Sequence, residues 1–433
     1  MKEIKIGLIG FGTIGCGVVK VFKKRTAFLE KKLGIKLSLK VICDQDITRK
    51  RDVVIGKSIL TTDVKKVLND KEIQIVIELI GGIHPAKEYI IAALKNKKYV
   101  VTANKALLAT AGEEIFDIAA KNGVDVYFEA SVGGGIPIIR ALREGLISNQ
   151  VENVYGIVNG TSNYILSEMS QKGCNFKTAL AQARKKGYAE SDYSLDINGQ
   201  DSAHKIAILA RMCFGQKINF SEVYVEGINN ISLSDIEYAA ELGFCIKLLA
   251  ITKVTGGNLQ IRVHPTLLPK RHLLSNVDGV FNAIFVNADL VGEMLLYGQG
   301  AGQMPTASAV MSDVVSIAQK IVQAPLRSKQ CFYVRAGFGP KKIQPIDEIK
   351  TRYYIRFSAV DKPAVLSQIS AILGKEKISI HSVIQKGRQQ NQAVPIVMMT
   401  HEARGKNLRK ALAKIDKLPT IKRKTVAIRV ERV

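Results

Sequence analysis

Apolar and polar positions along the first 130 or so residues predict strands and helices in regular succession. Short apolar runs at residues 4–9, 37–43, 73–80, 99–102 and 124–129 read as strands. Between them lie segments of helical spacing, one reaching residue 33, one at 86–95 and one ending at 117–122. The first of these carries a solvated basic stripe at Lys20, Lys23, Lys24 and Arg25. Strands alternating with helices predict parallel βαβ units. After residue 135 the pattern changes. Helical segments at 138–145, 163–172, 176–186 and 200–214 are separated by Gly-rich turns. Strand-like stretches follow at 246–254, 259–263 and 283–288, then an apolar helix at 308–322. Residues 337–342 read as a linker. From there the order is strand 353–358, helix 363–373, strands 378–384 and 394–400, helix 408–415 and strand 422–430, that of a ferredoxin-like split βαβ unit.

The 433 residues are 47% hydrophobic and 23% charged, which suits several globular domains and excludes a disordered, collagen-like or disulfide-stapled chain. The first residues are charged and lack the apolar core of a secretory signal, and no window is apolar enough to predict a membrane span. Six scattered cysteines, none in a C-x-x-C pair or at zinc spacing with histidine, read as reduced thiols of a cytoplasmic protein. The net charge of +25 raises the question of nucleic acid. Residues 352–433 alone hold 18 basic and 5 acidic side chains, so about half of the excess sits in the last module. Aromatic–basic interleaving, helix–turn–helix cues and zinc knuckles are missing, so the expectation is a Lys-rich surface with no nucleic-acid and no membrane partner.

The sharpest local signal is Gly10-Phe11-Gly12-Thr13-Ile14-Gly15, which follows a predicted strand and opens a helix. That context is what a dinucleotide site requires: glycines for the turn and the close backbone approach, and a helix N-terminus for the pyrophosphate. The second strand ends in Asp44, an acid that would accept a ribose 2′-OH and repel a 2′-phosphate. Arg49, Lys50 and Arg51 follow and could neutralise such a phosphate, so the reading leans slightly to NAD and leaves NADP open. Residues 78–82 and 101–107 end further strands at the side where ligands bind, placing Gly81, Thr102 and Lys105 there. Lys105 reads as an anchor for an anion, an acid/base group or a plain solvent-facing lysine. Asn159-Gly160-Thr161-Ser162-Asn163-Tyr164 is a polar turn able to cap a helix. Glu190, Asp196, Asp201 and Lys205 cluster within 16 residues, with Asp201 and Lys205 four apart on one helix face. On a surface that pair is a modest helix stabiliser; in a cleft the carboxylate would hold the ammonium for proton transfer or a substrate contact. His204 points about 100° away and reads as packing or capping. A second Gly-rich turn at residues 298–306 includes Gly302 and could return backbone N–H groups to a ligand.

These motifs in this order resemble homoserine dehydrogenase over essentially the whole chain. The resemblance is carried by residues 10–15, Thr102-Ala103-Asn104-Lys105, 129–137, 159–164, 187–190, 199–205 and Arg262-Val263-His264-Pro265-Thr266. Residues 359–366 are similar to the first loop of an ACT regulatory domain. The implied class is α/β, with a Rossmann-like doubly wound nucleotide-binding domain (1–137), an α+β catalytic and dimerisation domain (138–305), a helix returning to the first domain (306–336), a linker (337–351) and a C-terminal ferredoxin-like ACT domain (352–433). The implied reaction is NAD(P)-dependent interconversion of L-homoserine and L-aspartate 4-semialdehyde, in the threonine, methionine and isoleucine branch of amino-acid biosynthesis.

By the same resemblance, Lys105 and Lys205 are the two candidate proton-transfer groups, Lys105 ranked first, and Asp201 orients substrate or a water. Glu190 would bind the substrate's amino group, with Asp196 also in the substrate site, and Asn159, Gly160 and Thr161 would line the pocket. Glu129 and the carbonyls of Val132, Gly134 and Ile136 would hold a monovalent cation, sodium. A threonine effector and a homodimer or homotetramer are further implications. Ser162, Tyr193, Gln299, Gln303 and Ala364 depart from the family pattern; if Ala364 needs a left-handed backbone, its side chain would hinder effector binding. The alternative is another Rossmann oxidoreductase on an aspartate-derived substrate. A semialdehyde dehydrogenase would need a nucleophilic cysteine with a base, which no cysteine here suggests.

Overall fold

The computed structural model describes residues 2–189, 192–323, 342–386 and 393–431. The first stretch holds β1 (Lys2–Ile9), α1 (Thr13–Leu33), β2 (Ile35–Cys43), β3 (Leu60–Thr61), α2 (Lys65–Leu68), β4 (Ile73–Glu78), α3 (Ala86–Lys95), β5 (Tyr99–Thr102), α4 (Lys105–Asn122) and β6 (Val126–Tyr127). Its sheet runs β3-β2-β1-β4-β5-β6, every pairing parallel, the doubly wound order that reverses beside β1. Strands buried on both faces need continuous apolar runs, and Ile75, Val76 and Ile77 of β4 are such a run. The strand expected at 124–129 is shorter, because Glu129–Ser131 turn into a 3-10 helix.

Next come α5 (Ile138–Arg140), β7 (Val151–Ile157), α6 (Gly160–Lys172), α7 (Phe176–Lys185), α8 (Ser194–Ile197), α9 (Gln200–Phe214), β8 (Tyr224–Val225), α10 (Leu233–Glu241), β9 (Phe244–Thr255) and β10 (Asn258–Pro269). They are followed by β11 (Phe281–Ala288), β12 (Gly292–Gln299) and α11 (Gln303–Gln323). The chain ends with β13 (Lys350–Val360), α12 (Val365–Lys375), β14 (Ile380–Gln385), β15 (Ala393–Thr400), β16 (Ala403–Arg404), α13 (Gly405–Ile415) and β17 (Ile421–Val430). Strands β7 and β12 and helix α10 were not expected from the pattern. Residues 337–341 of the expected linker lie outside the described residues.

Two compact units result, residues 1–152, 207–220 and 282–339, and residues 153–206, 221–281 and 340–433. In the first, Ala307, Val310, Val314 and Ile317 of α11 share one core with Ile4, Ile6 and Leu8 of β1 and Val18, Val19 and Phe22 of α1. In the second, β9 pairs antiparallel with β7 and β10. The C-terminal strands lie in the order β17-β13-β15-β14, all antiparallel, over a core that includes Phe357, Ile369, Met398 and Ile415. That sheet continues into β10, because β17 pairs with it in parallel at Thr266↔Arg429 and Leu267↔Val430.

Ala364 caps α12 with φ 70°, the left-handed region that disfavours a Cβ. Ala364→Gly is therefore expected to stabilise the module by about 1 kcal/mol, read as a higher urea midpoint at unchanged slope. A lower midpoint would show that the loop tolerates its alanine without strain.

Candidate active site

The phosphate-binding candidate is built where β1 ends. Gly10 takes φ 100°, and a Cβ on it would meet the Leu79 carbonyl at 2.7 Å; one on Gly15 would stand 2.2 Å from the Gly10 oxygen. A Cβ on Gly12 would have no atom within 4 Å, so this glycine faces open space. Gly12 also opens α1 without a side-chain cap, so no side chain claims the first N–H groups, those of Thr13 and Ile14 among them. An open glycine before a bare helix N-terminus fits a dinucleotide pyrophosphate. The second Gly-rich turn lies beside this helix. Gly302 takes φ 119°, Gln303 Nε2 donates to the Thr13 carbonyl at 3.1 Å, and Lys20 Nζ donates to Gln303 Oε1 at 2.8 Å.

Asp44 is not a bare ribose acceptor. Its Oδ2 accepts the Phe11 N–H at 2.5 Å, its Oδ1 accepts the Asp46 N–H at 2.9 Å, and the Arg51 guanidinium lies 3.2 Å from Oδ1. Arg51 also donates from Nε to the Phe11 carbonyl at 2.8 Å and sits 4.6 Å from the centre of the Phe11 ring. The acid and the base that pulled the sequence reading in opposite directions thus form one neutralised unit.

At the ends of β4 and β5, Glu78 organises the neighbouring turns. Its carboxylate accepts N–H groups of Ile80 at 2.8 Å and Gly81 at 3.3 Å and the Thr102 hydroxyl at 2.6 Å. Burial raises its pKa, partly offset by these bonds. Asn104 then caps α4, accepting the Leu107 N–H at 3.2 Å and donating to the Gly82 carbonyl at 2.6 Å. Half-buried Lys105 is the first residue of that helix. In the sequence Glu78 stands out only as an acid at the end of an apolar run.

Glu129 is buried, and its two oxygens accept the N–H groups of Ile139 at 2.8 Å and Arg140 at 2.9 Å. Gly133 and Gly134, with φ 72° and 57°, turn the chain sharply between Val132 and Ile136. Such carbonyl oxygens with one carboxylate are a donor set for a hard cation. Among the described residues no cluster of three or more His, Cys, Asp or Glu side chains is spaced for a metal. Asp313, unnoticed in the sequence, accepts the Glu129 N–H at 2.8 Å, and burial pushes its carboxyl up to about 7.

The second unit assembles the polar cluster expected from α9. Lys205 Nζ donates to Asp201 Oδ2 at 2.7 Å and to the Val158 carbonyl at 2.5 Å. Asn159, which caps α6 through the Ser162 N–H, donates from Nδ2 to Asp196 at 2.7 Å and to Asp201 at 2.9 Å. One amide thus joins both carboxylates, and Asn159, Asp201 and Lys205 are all buried. Burial raises the Asp196 pKa, the Asn159 bond partly offsets this, and the Asp201 charge adds to the rise. Gly160 lies against the Val280 backbone, 2.7 Å from where a Cβ would be, and the Thr161 hydroxyl donates to the Tyr188 carbonyl at 2.6 Å. Glu190 lies outside the described residues. Cys16, Cys43, Cys213 and Cys245 all have thiols pushed up by burial, Cys43 to about 11, which is the opposite of an activated nucleophile.

Three family models match the chain: homoserine dehydrogenase over residues 137–315, the homoserine dehydrogenase NAD-binding domain over 10–129, and the ACT domain over 353–420. The homoserine dehydrogenase of Neisseria gonorrhoeae is 44% identical over 436 residues, covering 100% of this chain and 99% of the relative. The crystal structure of a homoserine dehydrogenase from Thiobacillus denitrificans superposes with a TM-score of 0.92 at 43% identity, covering 100% of this chain and 99% of that one. A hyperthermophilic archaeal homoserine dehydrogenase in complex with NADPH superposes with a TM-score of 0.62 at 25% identity, over 75% of this chain and 100% of that one.

Proposed function

The chain belongs to the homoserine dehydrogenase family, and from that premise we propose which of its residues carry out the NAD(P)-dependent interconversion of L-homoserine and L-aspartate 4-semialdehyde. The bound nicotinamide supplies or takes the hydride. Residues 10–15 and the start of α1 hold the pyrophosphate, with Gly81 and Thr102 at the ends of the neighbouring strands β4 and β5 and Gly302 in the turn that precedes α11. Lys105 takes the proton of the substrate hydroxyl when homoserine is oxidised and returns it in reduction. Lys205, fixed by Asp201 and the Val158 carbonyl, directs an N–H at the substrate oxygen, where negative charge grows. Glu190 and Asp196 take the substrate's amino group, and the turn at Asn159, Gly160 and Thr161 shapes the pocket. Glu129 and the carbonyls of Val132, Gly134 and Ile136 hold a sodium ion.

The observation that carries this reading is the Asn159 amide joining Asp196 to Asp201, whose carboxylate with the Val158 carbonyl holds the buried Lys205 ammonium. Its test is one assay of homoserine oxidation with NAD⁺ and NADP⁺, each with and without threonine. No turnover with either cofactor refutes the reading, and inhibition by threonine adds an effector role for the C-terminal module.

On the cofactor, the reading is that a 2′-phosphate is accepted, because Arg51 neutralises the acid that would repel it. Arg51→Ala uncovers Asp44 and is expected to shift the ratio of NAD⁺ to NADP⁺ affinity by about tenfold or more towards NAD⁺, the scale of a charge-assisted contact. Titration of the two reduced cofactors by their fluorescence measures this without turnover; an unchanged ratio refutes it.

A further inference from the structure

The last strand of the chain reaches the segment beneath the substrate cluster. Arg429 of β17 donates from Nη1 to Glu226 Oε2 at 2.9 Å, and its guanidinium lies 4.8 Å from the centre of the Tyr224 ring. Tyr224 in turn donates its hydroxyl to the same Glu226 oxygen at 2.9 Å. Glu226 belongs to a short strap held to β10 at its start, where Tyr224 and Val225 pair with Arg262 and Val263 and the Glu226 N–H reaches the Val263 carbonyl at 2.8 Å.

The strap is pressed against the residues between Asp196 and Asp201. A Cβ on Gly227 would stand 2.2 Å from the Ile197 oxygen and 2.5 Å from the Asn198 Cα, so the two backbones touch. The Ile228 N–H donates to the Ile197 carbonyl at 2.8 Å. Gly199, at φ 87°, also packs on the strap, with the site of its missing Cβ 3.1 Å from the Val225 side chain and 3.4 Å from the Glu226 main-chain carbonyl oxygen. Asp196 thus stands one residue before a backbone gripped by the strap, and Asp201 two residues after its far end. A close-packed contact of this kind transmits a shift because it has no slack.

We propose that Arg429 is a positioning residue for the reaction. By clamping Glu226 it sets the strap, and the strap sets the spacing of Asp196 from the Asp201–Lys205 pair. The C-terminal module is thereby a built part of the substrate site. This rests on the reading of the Asn159–Asp196–Asp201–Lys205 cluster as that site.

The test is kinetic. Arg429→Met and Glu226→Gln in the full chain are each expected to raise KM for homoserine and lower kcat, with kcat/KM down by about tenfold to a hundredfold, the scale of a small misplacement of reacting groups. The Kd of NADPH, read by its fluorescence, should not change. The double variant should lose no more than the worse single one, since both break one contact, and Arg429→Lys should recover part of the loss. Unchanged homoserine kinetics in Glu226→Gln, or losses that simply multiply in the double variant, overturn the proposal. If Arg429→Met does not fold, Glu226→Gln carries the test alone, because it keeps the size of the side chain and removes only its charge. Full turnover in Lys205→Met would instead show that the site reading beneath the proposal is wrong.

Discussion

Lys205→Met is expected to lower kcat for homoserine oxidation by a factor of about 10²–10⁴ while leaving NADPH binding unchanged, the range for loss of one positioned polar or proton-transfer group. Methionine keeps the length and the apolar stem of lysine and removes its three donors. In the folded protein Lys205 donates to Asp201 and to the Val158 carbonyl, which holds its ammonium in place. Losing the donors also leaves a buried carboxylate without its ammonium, so part of the effect could be collapse of the cluster rather than loss of the contact. Lys205→Met combined with Asp201→Asn separates the two: the second change removes the unpaired charge, so folding recovers while turnover does not. Lys105→Met is expected to lose turnover on the same scale. Lys105 is the proposed proton carrier at the start of α4, and an amine in solution can carry a proton in its place. Added small amines should therefore restore some rate to Lys105→Met and none to Lys205→Met. Near-normal kcat in either single variant removes that lysine from the mechanism.

Much of the architecture was legible because its signals are local. Apolar runs of strand length between helical segments gave the parallel sheet, and three glycines at fixed spacing after β1 gave the phosphate turn. The Asp201–Lys205 pair was legible because four residues along a helix is a geometric statement. What joins that pair to the rest of the site was not. Asn159 lies 37 and 42 residues from the carboxylates it bridges, and the lysine's second partner is a main-chain carbonyl, which no sequence pattern marks. The apolar pattern marks a strand only over residues 259–263, yet β10 runs from Asn258 to Pro269. Pro265 falls where the neighbour on one side changes, from β8 at Arg262 and Val263 to β17 at Thr266 and Leu267. That Asp44 and Arg51, seven residues apart, pair with each other was not legible either.

The motif containing Arg262 and His264 has a consequence for stability. Arg262 is 1% exposed and pairs with Glu431, itself 3% exposed, 169 residues later in the chain. Lys253 donates to the other Glu431 oxygen at 2.8 Å, and Arg262 Nε donates to His264 Nε2 at 3.0 Å. Burial holds the His264 pKa well below its ordinary value, so the ring stays neutral and can accept that bond. Removing one member of a buried pair strands the other, which costs about 3–5 kcal/mol. Glu431→Ala is therefore expected to lower the melting temperature by roughly 10 °C, and Arg262→Met with Glu431→Leu to regain most of it, since the buried guanidinium goes with its partner and only the partly exposed Lys253 loses a contact. Acid should act on the same group. Burial would raise the Glu431 pKa, but the charges of Arg262 and Lys253 outweigh it and hold the carboxyl below its ordinary 4.5. A depressed carboxyl stabilises the fold above the unfolded value and loses that contribution as pH falls through the folded one. The native chain should thus lose stability below about pH 4.5 more steeply than Glu431→Gln, whose amide does not titrate. Melting temperatures of the two proteins that fall in parallel below that pH would show that the pair contributes nothing.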